Sequence, residues 1–167
     1  MIEYVTSIDN FWKDDLANYT YVRNVPFVSK IFDHLDRTYY NKGHVFQSFD
    51  DDVPNAQHFK NALNVTKGDI SWVCIEPNVI VPTHRDSFYP IRETYNINLE
   101  QCIRYLVFLE DWQFGQYVGF INKDITKWKA GDVYKFDSTE LHYAVNASNF
   151  FFHTCQINTF TGDQEKD

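Results

Sequence analysis

Three side chains, His84, Asp86 and His142, carry the ligand types that hold a divalent transition metal. In Thr83-His84-Arg85-Asp86 an imidazole and a carboxylate stand two residues apart. On extended backbone, residues i and i+2 point to the same face, so the two can reach one ion. Imidazole plus carboxylate suits Fe(II), Mn(II) or Zn(II), and two His with one carboxylate leave coordination positions open for small molecules. A His-x-Asp tripeptide alone arises often by chance. The stretch Trp128 to His142 strengthens it. There Ala130-Gly131-Asp132 forms a turn, and the strand after it ends at Phe136-Asp137. Asp137 is expected to shape the next turn by bonding its own backbone, and His142 then opens a strand with its ring inward.

Short strands separated by turn signals must position these residues. Ser71–Glu76, Val79–Pro82, Cys102–Glu110, Gln116–Asn122, Ile125–Lys129, Val133–Phe136, Leu141–Val145 and Phe150–Phe160 are the expected strands. Their spacing predicts a sandwich or jelly roll rather than alternating β and α units. Residues 1–68 differ. Apolar residues at 28, 31, 32, 35 and 39 have helical spacing, and Pro54–Leu63 can begin a second helix behind an early proline. The expected layout is one domain over 1–167, with a buttress over 1–68, a β core over 69–160 and a polar tail over 161–167. Ser87–Gln101, between Asp86 and the next strand, is positioned to be a lid over the metal.

Aromatic residues make up 18% of the 167-residue chain, which favours strands. The formal net charge of −8, with no run of Lys or Arg, argues against nucleic acid as a partner. Cys74, Cys102 and Cys155 form no C-x-x-C pair and are read as buried thiols in a reducing compartment. Residues 1–10 lack an apolar signal core, and no apolar stretch is long enough to span a membrane, so a cytoplasmic protein without a membrane partner is expected. His34, His44 and His58 have no acidic or thiol neighbours at metal spacing and are taken as surface residues.

Taken together, the two metal-bearing segments resemble the Fe(II)/2-oxoglutarate-dependent oxygenases over roughly residues 70–158. The aspartyl/asparaginyl and prolyl hydroxylase-like branches are the nearest. His84 and His142 stand 58 positions apart, which agrees with the family's order of motifs. The resemblance implies a mainly β double-stranded β-helix (a cupin-like jelly roll) with one or two buttressing N-terminal helices. It implies Fe(II) on His84, Asp86 and His142, with 2-oxoglutarate as co-substrate and O₂ as oxidant. It also implies a cation for the far carboxylate of 2-oxoglutarate, often an Arg or Lys on the last core strand. Phe150–Asn158 contains neither, which departs from the pattern. Arg104, within an otherwise apolar strand, and His153, near the usual basic position, are the candidates. A hydrogen-bonded core histidine remains the competing reading of His153. Tyr95 and Tyr134 are candidate hydrogen-bond donors to the co-substrate, or else core aromatics, as Trp72 and Trp128 are read. Arg85 and Arg92 meet a substrate carboxylate or solvent. The implied substrate is an amino acid, free or within a protein, and the oligomeric state is not legible. Two rival readings are a cupin-like metal enzyme without 2-oxoglutarate and a non-catalytic jelly-roll binding protein.

Overall fold

The computed structural model describes residues 1–26 and 43–163. The helix expected over 28–40 lies outside the described residues. Eleven strands are present among the described residues: β1 (Glu3–Ser7), β2 (Arg23–Pro26), β3 (His44–Phe49), β4 (Asp69–Ile75), β5 (Val79–His84), β6 (Cys102–Phe108), β7 (Gln116–Phe120), β8 (Lys123–Ile125), β9 (Asp132–Asp137), β10 (His142–Asn146) and β11 (Phe152–Phe160). They form a seven-stranded sheet in the order β1-β9-β6-β11-β4-β3-β2 and a four-stranded sheet in the order β5-β10-β7-β8. From β4 onward the chain passes back and forth between the sheets, each strand pairing antiparallel with its neighbours. That winding is the double-stranded β-helix, and its strands run from β4 to β11.

Both faces of the larger sheet are covered, so its strands carry apolar residues on both faces, interrupted by polar ones where the inner face lines the cavity. Val73, Ile75, Leu106, Phe108 and Phe152 pack between the sheets against Val118, Phe120 and Ile125 of the smaller one. Ile70, Trp72, Val107, Cys155 and Ile157 face outward and are covered by Trp12 and Phe59. Phe59 comes from α2 (Ala56–Ala62), which begins just after Pro54, close to expectation. Trp12 precedes the short α1 (Lys13–Ala17), and its indole Nε1 donates to the Leu109 carbonyl at 2.9 Å. Helices of this length do not persist alone in water, and these two are held by burial of Trp12 and Phe59. Cys74, Cys102 and Cys155 are buried and unpaired, as expected.

One of the expected strands is displaced. The strand placed over 125–129 forms instead over Lys123–Ile125, because Lys127 takes a left-handed backbone conformation that ends the extended run. Trp128 is then buried in the connection, its indole donating to the Glu110 carbonyl at 3.2 Å. The Ala130-Gly131-Asp132 turn is present. Gly131 has φ +95, and a Cβ there would run into the Ile8 carbonyl, so glycine is required. No helix among the described residues is long and apolar enough to cross a membrane.

Candidate metal centre

β5 and β10 pair with His84 opposite His142, which sets the two imidazoles side by side with ring centroids 4.4 Å apart. The chain leaves β5 directly after His84, and Asp86 follows at the mouth of the sandwich. His84 Nε2 lies 3.7 Å from Asp86 Oδ1, and His142 Nε2 lies 3.4 Å from Asp86 Oδ2. One ligand atom from each of the three residues falls within 4.8 Å of the other two. His84 Nδ1 is 2.8 Å from the Pro82 carbonyl, and His142 Nδ1 is 3.2 Å from that of Glu140. A carbonyl only accepts, so each Nδ1 carries the proton and each Nε2 turns a lone pair toward Asp86.

Three electron-pair donors facing one point repel one another unless a cation sits among them. Burial pushes the His142 pKa down to about 4, partly opposed by Asp86, so its ring is neutral near pH 7 and able to ligate. Burial alone would raise the Asp86 pKa, but the charge of Arg104 beside it is the foremost opposing cause, and the carboxyl is held well below its usual range. Asp86 is therefore ionised. Its Oδ2 is buried and accepts no hydrogen bond. Arg104 Nη1 stands 2.7 Å from that oxygen as a charge contact outside hydrogen-bonding geometry. An ionised carboxylate beside two imidazole lone pairs fits a divalent cation of the borderline-hard class.

Arg104 reaches this position along a row of three adjacent strands, where Asn158 on β11 pairs with both Arg104 on β6 and Asp69 on β4. Arg104 Nε donates to Asn158 Oδ1 at 2.8 Å, and Asn158 Nδ2 donates to Asp69 Oδ1 at 2.6 Å. The guanidinium also lies over the Phe88 ring, 5.4 Å from its centroid. The triad opens on a cavity of about 590 Å³ between the sheets, lined at the metal end by Arg104, Leu106, Val118 and Phe136. The lid segment is a docked helix, α3 (Tyr89–Tyr95), with Phe88 and Ile91 buried, and Phe88 to Pro90 roof the cavity.

The structure thus brings His84, Asp86, His142 and Arg104 to one wall. The remaining sequence candidates lie elsewhere. His153 is on the opposite face of β11, where its Nδ1 is 2.8 Å from the Tyr21 hydroxyl and its Nε2 is 3.9 Å from Cys74 Sγ. Period-two alternation puts Phe152 and Thr154 into the cavity and His153 away from it, unlike the place expected of a cation that holds a co-substrate. Tyr95 packs its ring on Phe160, 5.3 Å away, in the cluster around Ile91. Tyr134 packs against Phe108 and Tyr4 and does not line the cavity. Both tyrosines are core aromatics. Arg85 Nε donates to the Thr139 carbonyl at 3.0 Å, and Arg92 Nη1 to that of Ser87 at 3.3 Å. His44 does have an acidic partner, contrary to the sequence reading: its Nδ1 is 3.1 Å from Glu76 Oε2, with β3 laid against β4. His58 stacks on Phe11, and His34 lies outside the described residues. The sequence reading missed Asn158 and Asp69. The available signal was on β11, where Thr154, Gln156 and Asn158 alternate with Cys155 and Ile157, marking a polar face opposite an apolar one.

The sequence matches no protein-family model and no curated protein. Among solved structures the chain is similar to the non-heme alpha ketoglutarate dependent epimerase SnoN from nogalamycin biosynthesis, at TM-score 0.55 and 12% identity, over 87% of this chain and 67% of that one. It is also similar to a predicted oxalate decarboxylase from Thermotoga maritima (TM-score 0.46, 20% identity, 71% of this chain and 83% of that one). A third is a cupin 2 conserved barrel domain protein from Salinispora arenicola (TM-score 0.42, 12% identity, 72% and 80%). The fold is that of the cupin-like double-stranded β-helix proteins, here with a His-Asp-His cluster at the mouth of the barrel.

Proposed function

We propose that this chain is an Fe(II)- and 2-oxoglutarate-dependent oxygenase that hydroxylates an amino acid, free or within a protein. The observation that carries the reading is the meeting of two Nε2 lone pairs and an ionised carboxylate on one wall of a cavity large enough for two small molecules. The cavity volume falls within the usual range of small-molecule sites, about 300–1,000 Å³. His84, Asp86 and His142 would hold the ion, which with 2-oxoglutarate and O₂ supplies the oxidising power for breaking a substrate C–H bond. The chain's own part is positional. The Nδ1–H···O=C bonds fix both imidazoles, Phe88 and Pro90 limit water, and Leu106, Val118 and Phe136 give the reacting end an apolar wall. Arg104 would supply positive charge at the metal end, where its Nη1 lies 2.7 Å from Asp86 Oδ2. Anaerobic addition of Fe(II) and then 2-oxoglutarate should produce a weak visible charge-transfer band. Its absence in folded protein would overturn the assignment, and its survival in His84→Ala would show the ligands to be misassigned.

One observation favours a second reading, a cupin-like metal enzyme that does not use 2-oxoglutarate. The inward residues of β11 are Phe152, Thr154, Gln156 and Asn158, all neutral, and Arg104 is already engaged by Asp86 and Asn158. Under that reading the same titration shows Fe(II) binding with no band. A non-catalytic binding protein would show no metal binding.

A further inference from the structure

We infer that Asn158 is a positioning residue that limits Asp86 to a single metal bond. The inference rests on the metal reading above and deepens it. Asn158 bridges Asp69 and Arg104, its carboxamide oxygen accepting from Arg104 Nε and its nitrogen donating to Asp69 Oδ1. With Nε tied, the guanidinium is turned so that Nη1 lies against Asp86 Oδ2, and the Phe88 ring backs it. A carboxylate with both oxygens free chelates a divalent ion through both. Here a positive charge occupies Oδ2 and leaves Oδ1 for the ion. With one bond each from His84, His142 and Asp86, an octahedral ion keeps three open positions rather than two. The third decides function, because a bidentate co-substrate fills two and O₂ needs one more. Asp69 anchors the far end of the row, since its carboxylate sets the direction of the Asn158 amide.

The probe is Mn(II), whose bound waters are counted by the relaxation of solvent protons. In Asn158→Leu the guanidinium loses its tether, Asp86 closes on the ion with both oxygens, and relaxation per bound Mn(II) falls by about a third, one position of three. Mn(II) affinity does not fall, because a bidentate ligand replaces a monodentate one. The exchanged pair D69N/N158D restores an acceptor for Arg104 Nε and an N–H···O bond between positions 69 and 158, and should restore the wild-type relaxation. Arg104→Met removes the guanidinium itself and should give the same drop, which keeps the test open if Asn158→Leu does not fold. Wild-type relaxation in folded Asn158→Leu or Arg104→Met overturns the inference, as does a folded exchanged pair that stays low. If wild type binds no Mn(II), the metal reading itself falls.

Discussion

Arg104→Met should make the metal-free protein lean on its metal. Arg104 and Asp86 have side chains only 12% and 15% exposed, with their charges 2.7 Å apart. Removing one partner of a buried ion pair costs about 3–5 kcal/mol, because the other charge is left uncompensated. The lower end applies here. Without Arg104, burial drives the Asp86 pKa upward and the carboxyl can take a proton in place of the lost partner. For a chain of this length about 3 kcal/mol lowers the melting temperature by roughly 6–12 °C. Thermal unfolding followed by circular dichroism in the presence of a chelator measures this loss. Saturating Mn(II) replaces the missing charge, so the variant should gain more from the ion than wild type does. Ligand at a hundred times its Kd adds about 2.7 kcal/mol to any binder, and the excess over that in the variant is the signature. The sign with pH follows from Asp86. Its folded pKa is depressed, so its contribution is present above the ordinary carboxylate value of 3.8 and is lost as the pH falls toward the folded one. The gap between wild type and variant should therefore close in strong acid. Equal melting in chelator, or equal gains from Mn(II), would refute the claim that Arg104 compensates Asp86 in the metal-free state.

Three other perturbations separate the parts of the molecule. His84→Ala and Asp86→Asn should each abolish the thermal shift produced by Mn(II) while leaving a folded β protein, and a shift retained in both would place the ion elsewhere. His153 has its pKa pushed down to about 4 by burial, from an ordinary 6.5. At about 1.4 kcal/mol per pKa unit, wild type should lose about 3 kcal/mol through this residue as the pH falls from 6.5 to 4, and His153→Gln should lack that loss in denaturant titrations at several pH values. An unchanged slope in the variant would mean that His153 protonates without cost. Gly119 lies directly opposite Tyr143, whose ring occupies the space a Cβ would need. Gly119→Ala should dislodge Tyr143, break its hydrogen bond to Asp124 (2.8 Å) and alter the cavity wall it forms. The check is weakened 2-oxoglutarate binding with Mn(II) affinity retained.

What sequence could reveal here follows from how local each feature is. His84 and Asp86 are two residues apart, so a strand's period alone brings them together. His142 required only the guess that a Gly-Asp turn, a strand and an Asx turn return the chain to the same mouth, and Thr139 N does donate to Asp137 Oδ1 at 2.9 Å in that turn. The strands of the core were legible because turn residues separate them. His153 failed because motif spacing places a residue along a strand but not on a face, and one step on β11 exchanges the cavity for the outer layer. The alternation from Phe152 to Asn158 contains that information, and reading it would have moved attention from His153 to Asn158. Asn158 itself could not be assigned a role from sequence, since Asp69, Arg104 and Asn158 meet only through the β4-β11-β6 strand order.

That order also explains how an acidic chain can keep an ionised centre inside an apolar sandwich. From one row of the larger sheet to the segment after β5 the charges run Asp69, Arg104, Asp86, with Asn158 joining the first two. Burial raises the pKa of Asp69 and, alone, would raise that of Asp86, while Arg104 lowers both. One cation thus serves two carboxylates, and the deficit falls on the side where the imidazole lone pairs already meet. A divalent ion placed there turns that wall from a deficit of positive charge to an excess. Under the proposed function, that excess offsets one of the two charges a dianionic co-substrate brings into a low-dielectric cavity. The absence of a basic residue from the last strand is therefore consistent with a centre whose counter-charge comes from β6.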